Sequence, residues 1–124
     1  MKIVIVGDGK VGQALTGRLA EEGHDVVVID SSPKALRTSV EIHDVMGVNG
    51  NGASYAVQKE AGVGEADLLI AATSGDELNL LCCMLAKKLG ARHTIARVRN
   101  PDYADQLVLM KEELGLSMTV NPEL

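Results

Sequence analysis

The chain has 124 residues, 46% of them apolar and only 2% aromatic (two Tyr, no Phe and no Trp), with a formal net charge of −5. That length is one domain's worth of core, and the apolar share excludes a disordered chain. The acidic balance and the missing rings argue against nucleic acid as a partner, since a nucleic-acid site needs basic charge for phosphates or aromatic faces for bases.

A core without Phe or Trp must be built from Val, Ile, Leu, Ala and Met, as in parallel strands buried on both faces. The two cysteines, Cys82 and Cys83, are adjacent. Neighbours on one helix point about 100° apart, so the pair is read as reduced core thiols of a cytosolic protein. No apolar run approaches the ~20 residues of a membrane span. Met1–Val6 is too short for a signal peptide, and the expected state is soluble and intracellular.

In chain order, Lys2–Val6 is a β-branched run ending in Gly-Asp-Gly, a buried strand. A helix from Lys10 to Glu22 follows, with Val11, Ala14, Leu15 and Leu19 on one face and Gly23 as its stop. Asp25–Ile29 is a second buried strand. Ser32-Pro33 opens a helix running to Ile42, a cap residue followed by proline. Val45–Val48 is a weaker third strand, and a helix spans Ser54 to Ala61. Asp67–Ala71 is the fourth strand. Ser74-Gly75-Asp76-Glu77 matches a capping box before a long helix to Leu89. His93–Val98 is the fifth strand, Asn100-Pro101 caps a helix ending near Gly115, and Ser117–Val120 is a last strand. This alternation predicts an α/β fold: a Rossmann-like, doubly wound, mainly parallel sheet of about six strands with helices on both faces. One domain fills residues 1–124, expected to be a piece of a longer protein.

Gly7-Asp8-Gly9-Lys10-Val11-Gly12 is G-x-G-x-x-G placed between the first strand and the first helix, the context that makes this motif specific. Gly7 allows a tight turn, Gly9 lets a pyrophosphate approach the backbone, and Gly12 lets helix and strand pack closely. The phosphates would meet the free N–H groups and positive dipole end of the helix. Asp30 closes the second strand about 20 residues on, where a carboxylate accepts from ribose hydroxyls and disfavours a 2′-phosphate. The plainer reading of Asp30, a cap for the next helix, competes with Ser31 and Ser32. Asp8 inside the loop should weaken anion binding unless it points to solvent. Lys10 is either a phosphate partner or a solvated first-turn lysine.

The other carboxyl-terminal strand ends complete the candidate cleft. Asn51-Gly52-Ala53 offers an amide and open backbone near an adenine; Ala72, Thr73 and Ser74 offer hydroxyls and small residues; Arg97 offers a cation. Each also has a bland reading, as a turn, a strand-end hydroxyl and a solvated arginine.

Taken together, KIVIVGDGKVG, VIDSS, GNGAS, ADLLIAATSGDELN, HTIARVRNP and the terminal NPEL resemble the TrkA N-terminal nucleotide-binding domain, also called KTN or RCK, of potassium transport regulators. The resemblance runs from Lys2 to Leu124. It implies NAD(H), or in related branches ATP or ADP, bound on the cytosolic side of a potassium-translocating membrane protein. It assigns Gly7, Gly9, Lys10, Val11 and Gly12 to the phosphate loop and Asp30 to the ribose. Asn51, Ala72, Thr73 and Arg97 would line the rest of the cleft, and Glu123 matches a carboxylate used near a subunit boundary.

The Leu78–Leu89 helix is apolar nearly all round, so it needs cover on a second face. Either the next helix supplies it or a partner subunit does, in a homodimer or larger ring. His24, His43 and His93 are scattered and read as surface histidines, and no His/Cys/Asp spacing suggests zinc. No residues are left over for a substrate domain with a general acid or base, so the expectation is a regulatory binding module and not an enzyme. The rival is the cofactor domain of an NAD-dependent oxidoreductase.

Overall fold

A computed structural model describes residues 1–120. Strands β1 (Lys2–Val6), β2 (Asp25–Asp30), β3 (Met46–Asn49), β4 (Leu68–Ala71), β5 (His93–Arg97) and β6 (Met118–Val120) form one sheet in the order β3-β2-β1-β4-β5-β6. Every neighbouring pair is parallel. The order reverses between β1 and β4, so a crevice opens at their carboxyl ends.

Side-chain alternation divides the sheet between two cores. Ile3, Ile5, Val26, Val28 and Ile70 pack with Leu36 and, at the edge, Val11, Leu15 and Leu19. These come from α1 (Lys10–Glu21) and α2 (Pro33–Ile42). The intervening residues Val4, Val6, Val27, Ile29, Leu69 and Ala71 face the other way, onto Cys82, Cys83 and Ala86. That layer holds α3 (Tyr55–Glu60), α4 (Asp76–Leu89), α5 (Ala104–Leu109) and α6 (Lys111–Leu114). Ile3, Val4, Ile5, Val28 and Ile29 are fully buried, each worth about 1.5–3 kcal/mol of transfer free energy. Burial pushes both thiols up to about 12, which leaves them protonated packing groups.

Two expectations fail locally. Ser74 forms no capping box: Gly75 is the N-cap of α4 with no side-chain bond. The turn is closed by Thr73 instead, whose Oγ1 accepts from the Gly75 N–H at 3.2 Å. The Asp76 carboxylate accepts from the backbone N–H groups of Arg99 and Asn100, tying the start of α4 to the end of β5. The single helix expected from Asn100 to Gly115 is a 3₁₀ turn (Pro101–Tyr103) followed by α5 and α6, broken at Met110. Asn100 does cap, accepting from the Asp102 N–H at 2.9 Å. The Glu123 expectation lies outside the described residues.

Candidate functional site

The loop after β1 is shaped by what its glycines exclude. Gly7 has φ +103°, a value L side chains rarely adopt. A Cβ on Gly12 would lie 1.9 Å from the Gly7 carbonyl oxygen, so α1 rests directly on the turn. Gly9 differs: among the described residues nothing lies within 4 Å of where its Cβ would be, which leaves the main chain open to an approaching group. Gly9 is also the N-cap of α1, with no side-chain cap and no acid in the first turn. The Lys10, Val11 and Gly12 N–H groups precede the first intrahelical bond, from Gln13 N–H to the Gly9 carbonyl at 2.8 Å. They leave a concentration of donors and positive dipole suited to an anion.

Asp30 stands opposite, at the end of β2. Its Oδ2 accepts from the Asp8 N–H and its Oδ1 from the Ser32 N–H, both at 2.7 Å. Each carboxylate oxygen has a lone pair left, so the group is held in place while still able to accept from a ribose diol. The competing role as helix cap falls to Ser32, whose Oγ accepts from the Ala35 N–H at 3.3 Å.

A cleft of about 610 Å³ runs between these elements and the ends of β4 and β5, within the usual size of small-molecule sites. Gly7, Gly9, Lys10 and Val11 line one end, with Asp30 and Ser31 beside them. Asn51, Gly52, Ala72, Thr73, Ser74 and Arg97 line the remainder. Two predicted residues lie outside it. Gly12 sits beneath the loop as packing. Asp8 does not point to solvent, as its charge led us to expect: it is 2% exposed and turned under α2, where the Ser39 hydroxyl donates to Oδ1 at 2.7 Å. Desolvation raises its pKa above the ordinary carboxylate value, with the Asp30 charge adding to the rise and the Ser39 bond and His43 opposing it.

Several bland readings hold beside the cleft-lining ones. Asn51 Oδ1 accepts from the Ala53 N–H at 2.9 Å, so its acceptor closes a turn. The Thr73 hydroxyl is engaged with Asn79 Oδ1 and the Gly75 carbonyl. Arg97 is half-buried rather than solvated, with Nη1 donating to the Thr73 carbonyl at 3.3 Å. None of the three histidines lines the cleft. His24 and His43 depart from the surface reading, both being half-buried, with His43 packed over Gly17. Among the described residues no group of His, Cys, Asp and Glu is placed to hold a metal ion.

Two buried amides that organise the site escaped the sequence reading. Asn79 of α4 is fully buried. Its Oδ1 accepts from the Thr73 N–H, and its Nδ2 donates to the Thr73 and Arg97 carbonyls at 3.1 and 2.7 Å. Gln58 of α3, also fully buried, donates through Nε2 to the Gly52 carbonyl at 2.8 Å and the Cys82 carbonyl at 3.0 Å. Both sit at helical spacing where an apolar residue would pass unnoticed; a polar side chain on the buried face is the signal that could have found them.

A family model described as the TrkA-N domain matches residues 3–122. The chain is 41% identical over 124 residues to a Trk system potassium uptake protein TrkA homolog of Archaeoglobus fulgidus, covering 100% of this chain and 28% of that protein. It is 34% identical over 123 residues to a TrkA homolog of Methanothermobacter thermautotrophicus, covering 99% of this chain and 55% of that protein. The chain therefore spans well under two thirds of either relative. Among solved structures, the TrkA-N domain of the inner membrane protein ybaL from Escherichia coli aligns with TM-score 0.86 at 24% identity, over 98% of this chain and 87% of that one. The GsuK channel bound to NAD aligns with TM-score 0.79 at 24% identity, over 96% of this chain and 21% of that one. The Shewanella denitrificans Kef CTD in AMP-bound form aligns with TM-score 0.80 at 22% identity, over 100% and 73%. At these identities the structural likenesses show the fold.

Proposed function

Given that the chain belongs to the TrkA-N domain family, we propose that it is the regulatory nucleotide-binding domain of a potassium uptake system, taking NAD(H), or ATP or ADP, in the cleft. The observation that carries this reading is the pairing across one cleft of an uncapped, glycine-opened helix start with a fixed strand-end carboxylate. The first suits a pyrophosphate and the second a ribose with free hydroxyls. The site residues of this reading are the cleft-lining residues named above, with Asp8 and Gly12 acting from behind the loop. The TrkA relatives are potassium uptake proteins, and the GsuK channel bound to NAD and the Kef CTD bound to AMP support the ligand class.

The domain is read as a sensor and not a catalyst, a reading supported by its TrkA relatives, which are potassium uptake proteins. It acts by differential affinity: a nucleotide that binds one arrangement of paired domains better shifts the population toward it. The partner is an integral-membrane potassium channel or transporter, which places the domain on the cytoplasmic face. Leu78, Leu81 and Met84 on α4 remain exposed, by 36%, 53% and 39%. They form the face through which a homodimer or ring would assemble.

Calorimetric titration with NADH, NADPH, ATP and ADP tests the reading. NADH is expected to bind more tightly than NADPH, and Asp30→Asn to weaken NADH about tenfold, the equivalent of one charge-assisted hydrogen bond. NADPH binding as tightly as NADH, or an Asp30→Asn variant with parental affinity, would overturn the ribose assignment.

A further inference from the structure

The cleft takes in Asp30, Arg97 and the open face of the glycine loop, and leaves one ionisable side chain of the loop outside it. Asp8 lies between Gly7 and Gly9, yet its side chain is buried behind the loop. Its Oδ1 accepts from Ser39, while Oδ2 is buried and has no hydrogen-bond partner among the described residues. An oxygen in that position costs more as part of an anion than as part of a neutral acid. The main chain of Asp8 is meanwhile clamped into the site. Its N–H donates to Asp30 Oδ2, and its carbonyl accepts from Gln13 Nε2 of α1 at 3.0 Å.

The charged and titratable groups acting on Asp8 come from two elements. Asp30 at the end of β2 adds negative potential, and His43 at the C-terminus of α2 opposes it. An anion docked on the Lys10–Gly12 N–H groups would add further negative charge within a few residues of the buried carboxylate, and like charges sharing a low-dielectric site disfavour one another.

We infer that Asp8 takes up a proton when nucleotide phosphates dock on the loop, so that the domain binds its nucleotide and a proton together. The inference rests on the reading of the cleft as a nucleotide site. The proton goes to a carboxylate oxygen of Asp8 from solvent, and no bond of the nucleotide changes. Linkage makes the effect reciprocal: nucleotide favours the protonated loop, and acid favours the nucleotide. Burial already holds Asp8 above the ordinary carboxylate value of 3.8, so the coupling operates on the neutral side of that value.

The test is calorimetry of NAD⁺, whose phosphodiester groups do not titrate in this range, from about pH 5 to 8 in buffers of different ionisation heat. The expected result is net proton uptake on binding, with Kd tightening as pH falls by up to about tenfold per pH unit. Asp8→Asn, which carries no titrating carboxylate, is expected to flatten the profile. Ser39→Ala removes the hydrogen bond that favours the carboxylate and should move the profile to higher pH, which keeps the test open if Asp8→Asn does not fold. His43→Gln should keep the slope and, by removing a group that opposes protonation, move it to higher pH. A parent that binds NAD⁺ without proton uptake, an Asp8→Asn variant that keeps the slope, or a His43→Gln variant that loses it would each overturn the inference alone. Failure to bind NAD⁺ or any adenine nucleotide at any pH would overturn the cleft reading and this inference with it.

Discussion

On the side of the cleft built by β1, β2 and α1, shape comes from the main chain. Gly7 turns at positive φ, Gly12 brings α1 onto the turn, and Asp30 pins the Asp8 N–H. On the side built by β4, β5 and α4, shape comes from side chains, Thr73, Asp76 and above all the buried Asn79. Asn79 takes the Thr73 N–H and supplies the Thr73 and Arg97 carbonyls, tying the ends of β4 and β5 to α4. A loop that offers backbone N–H groups to an anion must be rigid where the charge is concentrated. A wall held by a buried amide is rigid only as long as that amide's bonds are all made, because each group it leaves orphaned bears the full desolvation cost. The two sides should therefore fail differently.

The sharpest break is on the backbone side. Gly12→Ala puts a Cβ 1.9 Å from the Gly7 carbonyl oxygen, a main-chain atom that cannot swing aside. Urea unfolding should show a loss of about 3 kcal/mol, at the upper end for overpacking. Gly9→Ala is the matched control, since its Cβ meets nothing within 4 Å among the described residues. It should fold close to normally, losing about 1 kcal/mol or less at the cap, yet lose nucleotide binding because the methyl occupies the phosphate's approach. If both variants behaved alike, the division between packing glycine and approach glycine would be wrong.

The amide side comes next. Asn79→Ala leaves the Thr73 N–H and the Arg97 carbonyl without the bonds that satisfy them. A loss of about 2 kcal/mol in urea is expected, the cost of a buried unsatisfied polar group. The binding readout carries the comparison: NADH, spanning the cleft, should weaken, while AMP, occupying the Asp30 end, should keep its affinity. Equal losses for both ligands would show that the two sides are one unit.

The same contrast explains what could be read from the sequence. The strand-loop-helix placing of Gly7, Gly9 and Gly12, and Asp30 at the end of β2, involve residues close in sequence whose spacing reflects local geometry. The sheet was legible for a related reason, since short β-branched runs separated by helical periods admit few topologies. Asn79 and Gln58 were not legible, because their partners lie 18 and 24 residues away and follow from how α4 and α3 settle on the sheet. Ser74 failed in the opposite direction. S-x-x-E is a good local signal, but Thr73 closes the turn and Asp76 is drawn to the backbone after β5. Asp8 was misplaced because burying an acid behind a glycine loop runs against the simplest electrostatic expectation, and only the register of α2 brings Ser39 beneath it.

The smallest expected effect lies at that Asp8–Ser39 contact, and its sign can be worked out. Asp8 has a folded pKa above its unfolded value of 3.8, so the folded state holds the proton more tightly. The stability linked to this group is fully present below 3.8, where both states are protonated, and is lost as pH rises through the folded value. Ser39 limits that loss, because its hydroxyl favours the charged form. Ser39→Ala should raise the folded value further and let stability go on falling to a higher pH than in the parent. At neutral pH the deficit should be about 1 kcal/mol, the worth of one ordinary hydrogen bond, and it should shrink steadily toward acid. Thermal unfolding of parent and variant across that range measures it. A deficit independent of pH would assign Ser39 a purely structural role, whereas one that closes on acidification would place a titrating Asp8 on the backbone-built side of the cleft.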